Sequence, residues 1–450
     1  VNTAAEKASL TGKLYFYQVQ QAALQGILNH LVGIEMPYLK TNAEIEWQGV
    51  RIDPKRQART IKAGKRYSQK LKKTLAKYGL SAPPDDQELK KLFKKAGILR
   101  NFQDDGGLSF EKAILKKNKA FHPAIPVILA WNRLTSILND KILKGSHQSS
   151  NGRIYPQYQQ LGTHTGRVTS KHPSIMSLDS LLRPLIIPGE GRLIGEADWS
   201  QIEIGILAAL YQDSNLIAMF NSGDVYSEMA KVFYRKGIEK ADLGLPRKKF
   251  KKKYGKQRQI MKTCILGIIY GMTPKSLGES LNCSMEEAQG LYQDVIMMMS
   301  KFQVIQAGVD WSAIRGYAST ASNLHRHRGK SGKTEPWEKR WLLNHPVQGT
   351  GAALFKATAN RLNLLYRSLD AKIMVPLHDS FVFSAPERNF KKVAKLTKRV
   401  MRETVQEFFP ELQPRVEINI SRPDCWNKDG DGNLFRKWIK TLDKLIADAV

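Results

Sequence analysis

The sequence contains few cysteines and no long apolar run. Its three cysteines, Cys264, Cys283 and Cys425, are too few and too widely spaced for a disulfide framework or a zinc site. We therefore expect a reducing compartment and a cytoplasmic location, and an organelle fits the same composition. No apolar run approaches the ~20 residues of a membrane helix, and the first residues lack the pattern of a secretory signal. We expect no association with a membrane.

Acidic residues are in deficit across the chain. Among its 450 residues are 71 lysines and arginines but 41 aspartates and glutamates, which leaves a formal net charge of +30. A charge this large favours a polyanionic partner. Because neither a basic amphipathic anchor nor a lipidation signal is present, nucleic acid is favoured over a membrane surface.

Two aspartates follow short apolar segments. Residues 192–197 have the pattern of a strand that ends at Asp198. Residues 373–377 and 381–383 have the pattern of two strands, which puts Asp379 at a hairpin tip. Taken alone, an aspartate in either position is more often an ordinary turn or cap residue than a catalytic one. Together, in a basic chain, they suggest metal ions acting on phosphates.

A basic segment from Arg56 to Tyr78 has a helical pattern. Such a charge run is typical of a solvated helix face. In a nucleic-acid-binding protein it also fits an arm that lies along a duplex backbone, and the sequence leaves both interpretations open.

A second predicted helix extends from Gln257 to Tyr270. Arg258, Lys262, Leu266 and Tyr270 recur at steps of four and form one stripe about 18 Å long, comparable to an extended nucleoside triphosphate. The two cations lie toward the helix N-terminus, where the dipole and free N–H groups favour phosphate. On periodicity alone, an amphipathic core helix with two surface cations is the favoured interpretation.

These residues occur in an ordered set of motifs. In chain order the set is Thr165-Gly166-Arg167, Asp198-Trp199-Ser200-Gln201-Ile202-Glu203, Arg258 with Lys262 and Tyr270-Gly271, Arg340 with Asn344 and Gln348-Gly349-Thr350, His378-Asp379, and Trp426. The set resembles the family A DNA polymerases of the bacterial DNA polymerase I type. The resemblance extends from about Gly33 to the C-terminus.

The resemblance implies an α+β right-hand fold with a thumb, a palm built on an antiparallel sheet and helical fingers. The expected boundaries are an N-terminal lead-in at 1–40, thumb at 41–152, palm at 153–206, fingers at 207–335 and a second palm segment at 336–450. Motif A lies in the first palm segment, motif B in the fingers and motif C in the second palm segment.

The resemblance also implies a role for each matching residue. Asp198, Asp379 and the Trp199 carbonyl would bind two Mg²⁺ ions, for which Mn²⁺ could substitute, and Lys262 would protonate the leaving group. Glu203 would exclude ribonucleotides sterically. The residues expected to contact the nucleotide are Gln201, Glu203, Tyr226, Arg258, Lys262, Leu266 and Tyr270. Those expected to contact primer and template are Arg167, Gly271, Arg340, Asn344, Gln348 and His378.

Three positions depart from the family pattern. Ser380 occupies the place of a third acid in motif C and gives a His-Asp-Ser sequence found in bacteriophage-type RNA polymerases. Leu266 occupies the place of an aromatic ring in motif B, and Tyr226 that of a histidine near the phosphates. The effects of these departures on sugar contact and phosphate binding stay open.

The expected function is a template-directed DNA polymerase that extends a primer 3′-hydroxyl with dNTPs and releases pyrophosphate. We expect the protein to be a monomer and to bind primer–template DNA and dNTPs. No aspartate precedes Asp53, so we expect no proofreading exonuclease. Two alternatives are a single-subunit RNA polymerase, favoured by Ser380 and opposed by Glu203, and a catalytically silent nucleic-acid-binding protein of the same fold.

Overall fold

The computed structural model describes residues 3–104, 107–377, 379–421, 425–427 and 433–449. The predicted site residue His378 lies outside these ranges. Two compact units are present. The larger comprises Val1–Ile45, Tyr158–Thr169 and Glu196–Ile418, and the smaller comprises Glu46–Gln157, Ser170–Gly195 and Asn419–Val450. The division into thumb, palm and fingers at the boundaries given above stays a prediction.

The helices, in chain order, are α1 (Ala4–Leu24), α2 (Leu28–His30), α3 (Met36–Gln48), α4 (Pro54–Lys77), α5 (Asp86–Lys95), α6 (Lys112–Lys117), α7 (Ala124–Asn139), α8 (Ile202–Leu210), α9 (Ser214–Ser222), α10 (Val225–Phe233), α11 (Arg247–Lys253), α12 (Gly255–Ile269), α13 (Pro274–Leu281), α14 (Met285–Met298), α15 (Phe302–Arg315), α16 (Pro336–Tyr366), α17 (Glu387–Phe408) and α18 (Leu434–Asp448). A π-helical turn covers Leu31–Glu35. None of the helices among the described residues is both long and apolar enough to cross a membrane.

The strands, in chain order, are β1 (Val50–Ile52), β2 (Gln103–Asp104), β3 (Gly107–Leu108), β4 (Arg153–Ile154), β5 (Gln157–Gln159), β6 (Thr169–Lys171), β7 (Ile186–Ile187), β8 (Arg192–Trp199), β9 (Tyr317–Ser319), β10 (His325–His327), β11 (Lys372–Pro376), β12 (Ser380–Pro386) and β13 (Val416–Ser421). The mixture of helices and small sheets confirms the α+β prediction.

A four-stranded sheet positions the two aspartates. Its strand order is β11-β12-β8-β13, so the strand that precedes Asp379 and the strand that carries Asp198 belong to one sheet. Strands β11 and β12 form the predicted antiparallel hairpin, with Ile373 opposite Phe383 and Pro376 opposite Phe381.

Helices α16 and α17 pack on this sheet through aromatic side chains. The ring of Phe381 stacks on Phe355 of α16 at 4.4 Å between centroids and meets the Trp199 ring edge-on at 5.8 Å. The Trp199 indole N–H donates to the Met401 carbonyl of α17 at 3.0 Å. Because Trp199 follows Asp198 directly, this buried contact fixes the backbone that carries the predicted metal ligand.

A buried polar cluster joins the π-helical turn to α16. The Lys356 ammonium donates to Glu35 Oε1 at 2.6 Å, and His30 Nε2 lies 3.1 Å from the same oxygen. Gln160 donates to the Glu35 main-chain carbonyl at 2.7 Å. Lys356 is 1 % exposed, and a buried ammonium without a carboxylate partner would be strongly unfavourable. The cluster therefore anchors the N-terminal segment to the rest of the larger unit.

In the smaller unit, helices α4, α7 and α18 pack together. The side chain of Asp53 caps α4 by accepting from the Lys55 and Arg56 amides, and Pro54 occupies the first helical position. Helix α4 covers nearly the whole basic segment for which a helix was predicted. Trp426 is buried, its amide donates to the Ile186 carbonyl at 2.8 Å, and Arg183 lies over its ring at 4.6 Å.

Candidate active site

Asp198 lies on β8, and Asp379 lies just before the start of the neighbouring strand β12. Asp198 is the penultimate residue of β8 and is half-buried, whereas Asp379 is exposed immediately before β12. The Trp199 amide donates to the main-chain carbonyl of Asp379 at 3.5 Å. This contact joins the two strand ends and brings the two carboxylate-bearing segments together, as the sequence predicts.

A small cleft extends from Asp379 toward Glu203. Its lining residues are Arg167, Trp199, Ile202, Glu203, Gly351, Leu354 and Asp379. Three separate motifs of the sequence therefore meet in one cleft of the larger unit.

Glu203 bridges two other predicted site residues. One carboxylate oxygen accepts from the Arg167 guanidinium and the other from the Tyr270 hydroxyl. The side chains of Arg167 and Glu203 are both about one quarter exposed, at 24 % and 25 %. The bridge holds Tyr270, just after α12, against the first turn of α8.

The loop that carries Arg167 is fixed from two sides. The Arg167 amide donates to the Thr163 hydroxyl at 3.1 Å, and its carbonyl accepts from the Gly162 amide at 3.0 Å. On the other side, a Cβ at Gly349 of α16 would lie 2.5 Å from Thr320 Cγ2 and 3.4 Å from the Thr165 carbonyl oxygen. Glycine at this position therefore lets the loop and the β9–β10 hairpin pack closely on α16.

Helix α12 presents the predicted stripe. Arg258, Lys262, Leu266 and Tyr270 are all partly exposed. The opposite face is buried and consists of Met261, Cys264, Ile265, Ile268 and Ile269. One side of α12 therefore packs in the core, as expected of an amphipathic helix. The accessible side carries the two cations of the predicted nucleotide-binding stripe, so the two interpretations of the periodicity are compatible.

The helix ends where the sequence predicts. Tyr270 is the C-cap residue, and Gly271 has φ of +75°, in the left-handed region that favours glycine. A Cβ at Gly271 would lie 2.8 Å from Arg340 Cγ. Gly271 therefore allows Arg340 of α16 to approach the end of α12.

Asp224 forms a buried hub behind the cationic end of α12. Its carboxylate accepts from Arg258 Nε at 2.8 Å and Nη2 at 3.0 Å, and from Gln201 Nε2 at 2.7 Å. The Ser227 hydroxyl donates at 2.8 Å. Burial alone would raise the pKa of the Asp224 carboxyl, but the hydrogen bonds from Arg258 and Ser227 hold this pKa below its ordinary value.

Gln201 connects the hub to the start of α10. Its side-chain oxygen accepts from the Val225 amide at 3.0 Å while its amide group donates to Asp224. Asp224 is absent from the residues that the motifs single out. Its position directly before α10 suggests an ordinary helix cap, so the local sequence gives no sign of a contact with Arg258.

Tyr226 lies beneath the two cations of α12. The Arg258 guanidinium is 5.0 Å and the Lys262 ammonium 6.0 Å from the centre of its ring. Burial raises the pKa of the Tyr226 hydroxyl above its ordinary value, so the side chain stays neutral. Tyr226 thus supports the two cations through its ring face.

Helix α16 carries the other predicted nucleic-acid contacts. Arg340, Asn344 and Gln348 are spaced by four and share one face near the N-terminal half of the helix. Arg340 is exposed, and the other two are half-buried. The stripe ends beside Gly349, which contacts the Arg167 loop.

The metal-binding capacity of the site depends on few protein atoms. Among the described residues, no group of three or more His, Cys, Asp and Glu side chains could hold a metal ion. Asp198, Asp379 and the Trp199 carbonyl offer oxygen donors, the ligands that Mg²⁺ prefers, and Mg²⁺ commonly takes its remaining ligands from water and substrate phosphates. The donors fit this ion when a substrate completes its coordination.

Asp198 on β8 and Asp379 just before β12 belong to neighbouring parts of one sheet, and Glu203 contacts Tyr270 at the end of the cationic helix α12. This arrangement is the one expected of the right-hand polymerase class. The chain belongs to DNA polymerase family A, whose family model matches residues 57–428. This match confirms the resemblance drawn from the motifs.

Curated relatives agree with this assignment. The thermostable DNA polymerase I of Thermus thermophilus is 27 % identical over 445 residues, covering 94 % of this chain and 51 % of that protein. The DNA polymerase I of Aquifex aeolicus (strain VF5) is 26 % identical over 407 residues, covering 88 % of this chain and 67 % of that protein. The chain spans about half the length of the Thermus relatives that it matches.

A solved structure shares the fold. The POL domain of Pol1 from M. smegmatis, in complex with DNA primer-template and dNTP, superposes with a TM-score of 0.78 at 22 % identity. The likeness covers 90 % of this chain and 72 % of that chain. It confirms the predicted fold class.

Proposed function

We propose that the chain is a template-directed DNA polymerase that adds dNTPs to a primer 3′-hydroxyl and releases pyrophosphate. The observation that carries the proposal is the cleft in which Asp379, Glu203 and Arg167 meet, together with the hydrogen bond from Tyr270, the last residue of the α12 stripe, to Glu203. Membership of family A supports it, and so do the DNA and dNTP bound by the M. smegmatis protein.

Asp198, Asp379 and the Trp199 carbonyl would hold two Mg²⁺ ions. When bound, the ions supply positive charge that acidifies the primer hydroxyl and neutralises the phosphates during transfer. Two aspartates suffice because the nucleotide contributes further oxygen ligands. Ser380, which cannot carry charge at neutral pH, would take no part in this charge balance.

The protein side chains would bind and orient the nucleotide. Arg258 and Lys262 would contact the triphosphate at the N-terminal half of α12, and Lys262 would give a proton to the departing pyrophosphate. Asp224 keeps the Arg258 guanidinium in a fixed orientation through two hydrogen bonds, so less conformational entropy would be lost when phosphate binds.

Glu203 would select the sugar. Its carboxylate is held by Arg167 and Tyr270, so it cannot swing away to admit a 2′-hydroxyl without breaking both contacts. Deoxynucleotides would therefore be preferred. Leu266, next on the stripe after Lys262, would pack against the sugar and offer no hydrogen bond to it.

The primer–template duplex would lie across α16. Arg167, Arg340, Asn344 and Gln348 carry the donors and acceptors expected for minor-groove contacts, where A·T and T·A pairs display similar acceptors. Such contacts test the shape of a base pair without reading its sequence. Gly271 and Tyr270 would lie beside the templating base, and His378 would support the primer terminus.

A monomeric, cytoplasmic enzyme that uses Mg²⁺ completes the proposal. These three properties follow from the relation to bacterial DNA polymerase I. Light scattering with and without DNA would test the monomeric state. Replacement of Mg²⁺ by Mn²⁺ or Ca²⁺ in extension assays would test the use of Mg²⁺.

Primer extension on DNA and RNA templates, with dNTPs and rNTPs supplied separately, tests the function. Asp198→Asn and Asp379→Asn should each reduce extension by about two orders of magnitude or more, because each removes charge from the site. Duplex affinity should change little, and Ser380→Ala should extend primers normally. Near wild-type extension by Asp379→Asn would contradict the proposal, and a preference for rNTPs would favour an RNA polymerase.

A further inference from the structure

Helix α18 lies outside the residues that match family A, since the match ends at residue 428 and the helix covers Leu434–Asp448. Phe435, Ile439 and Leu442 form a buried apolar stripe at steps of four and three. The remaining face is polar and cationic. Helix α18 therefore behaves as an additional amphipathic element docked within the smaller unit.

Polar contacts fix α18 against its neighbours. Asp443 accepts from the Tyr67 hydroxyl of α4 and from the Lys70 ammonium at 2.8 Å. The Arg133 guanidinium of α7 lies over the Trp438 ring at 5.2 Å. These contacts set the register of α18 along α4, so the relative positions of their side chains are defined.

A groove of about 590 Å³ follows the line where α4 and α18 meet. Its cationic lining residues are Arg56, Arg59, Arg66, Arg436 and Lys440, and its apolar lining residues include Ala63, Leu181, Pro184, Leu185 and Ile439. The groove thus has an apolar floor and cations supplied by both helices.

Among the described residues that line the groove, cations outnumber acids. Asp443 is the one acid in this set, and its carboxylate already accepts from Tyr67 and Lys70. Arg56 pairs with Asp53 at 3.1 Å. Arg59, Arg66, Arg436 and Lys440 are exposed. An anionic ligand would therefore meet several cations without displacing an internal carboxylate.

The spacing of the cations fits a polymer better than a small anion. Arg56, Arg59 and Arg66 lie on one face of α4 over ten residues, or about 15 Å along the helix. One strand of a nucleic acid advances about 3.4 Å per phosphate along the duplex axis. The row therefore spans several phosphates, and Arg436 and Lys440 of α18 provide a second row.

We propose that the groove between α4 and α18 binds the sugar–phosphate backbone of nucleic acid. The groove contains none of the residues assigned to the active site, so this contact is additional to the polymerase site. The guanidinium groups would bind phosphate oxygens, and the apolar floor would receive sugar carbons. Binding would be independent of base sequence.

Charge reversal on α18 tests the proposal. Arg436→Glu with Lys440→Glu changes two exposed groove residues, and Lys391→Glu with Lys392→Glu on the exposed face of α17 makes the same change in net charge elsewhere. Affinity for a labelled duplex, and for a single strand of the same length, is measured by anisotropy at several salt concentrations. Because no nucleotide is added, the result does not depend on whether the chain polymerises.

We expect the α18 variant to bind at least one of the two ligands about tenfold more weakly than the α17 variant. The slope of log K against log salt should become shallower by about 1.8 for a duplex or about 1.4 for a single strand, since each of two lost phosphate contacts removes about 0.9 or 0.7. The ligand that is weakened identifies the form bound in the groove.

Equal affinities and equal slopes for the two variants, with both ligands, would overturn the proposal. Arg436→Gln with Lys440→Gln provides a second measurement that removes charge without introducing acid, and it should give an intermediate loss. Matching thermal midpoints for all three variants would exclude loss of α18 folding as the cause. If only the double Glu variant of α18 has a lower thermal midpoint, the affinity of the double Gln variant decides the proposal.

Discussion

Glu203 receives hydrogen bonds from side chains that lie 36 and 67 residues away in the chain. The carboxylate has two properties that could exclude ribonucleotides, its size and its charge. Substitutions at this one position can separate them.

We predict that Glu203→Ala raises rNTP use relative to dNTP use by about tenfold or more, because space opens for a 2′-hydroxyl. Glu203→Gln keeps the size of the side chain and should leave the preference nearly unchanged. The measurement is the ratio of kcat/KM values in single-nucleotide extension. Equal shifts in the two variants would mean that charge, rather than size, selects the sugar.

Asp224 differs from a partly exposed carboxylate four residues away. Its side chain is 2 % exposed and pairs with Arg258, which is 12 % exposed, whereas Glu228 is 33 % exposed and pairs with Lys231. Removing one partner of a buried pair leaves an uncompensated charge.

We predict that Asp224→Ala lowers the free energy of unfolding by about 3–5 kcal/mol. The matched change Glu228→Ala should cost about 1 kcal/mol or less, since Glu228 is partly open to water and solvent-accessible pairs contribute little. Denaturant unfolding of both variants measures the difference. A loss no larger for Asp224→Ala than for Glu228→Ala would mean that the hub does not stabilise the fold.

At the scale of elements, α16 carries a buried histidine beside its row of nucleic-acid contacts. His345 is 1 % exposed, and its Nε2 lies 3.3 Å from the Leu324 carbonyl oxygen. Burial lowers the pKa of His345 to about 4, and the charges of Arg326 and His325 add to the shift. The histidine is therefore neutral in the folded protein at pH values where an unfolded chain would begin to protonate it.

We predict that stability falls as the pH drops from about 6.5 to about 4. In this window the unfolded state binds a proton at His345 and the folded state does not, so unfolding takes up a proton and is favoured by acid. The loss should approach about 3 kcal/mol at the lower end. His345→Gln should flatten this part of the stability–pH curve, measured by denaturant unfolding, and an unchanged curve would contradict the assignment.

Elements built from continuous sequence could be predicted. Strand β8, the β11–β12 hairpin and helix α12 each follow from local periodicity and turn residues, and the carboxylates and cations that they carry follow with them. Leu266 lies on the stripe of α12 and could be located in the same way, whereas Tyr226 could be located only through the family resemblance. The effects of these two residues on catalysis could not be predicted.

Contacts between distant segments could not be predicted. Asp224 and Arg258 are 34 residues apart, and Glu35 and Lys356 are 321 apart. No local pattern links such pairs, because burial and charge pairing arise only when helices pack. Gly349 gives a similar example. A glycine in the middle of a helix is unfavourable by propensity, and the close approach of Thr320 that requires glycine at position 349 is seen only in the structure.

At the scale of the whole molecule, the net charge of +30 should dominate the strength of nucleic-acid binding. We predict a fall of about 10³ or more in duplex affinity between 50 and 200 mM salt, as expected for six or more phosphate contacts. Titration of a labelled duplex by anisotropy measures this dependence. A change of less than about tenfold would mean that most of the basic residues do not face the DNA.

Helix α16 contacts the π-helical turn, α8, α15, α17, β9 and β11. A cut inside this helix would separate halves that share these neighbours, and neither half could bury its apolar face alone. Residues 329–333, just before the helix, are exposed. Engineers who want a two-fragment, conditionally assembled form of this protein should therefore divide the chain between β10 and α16 and keep the helix whole in the second fragment.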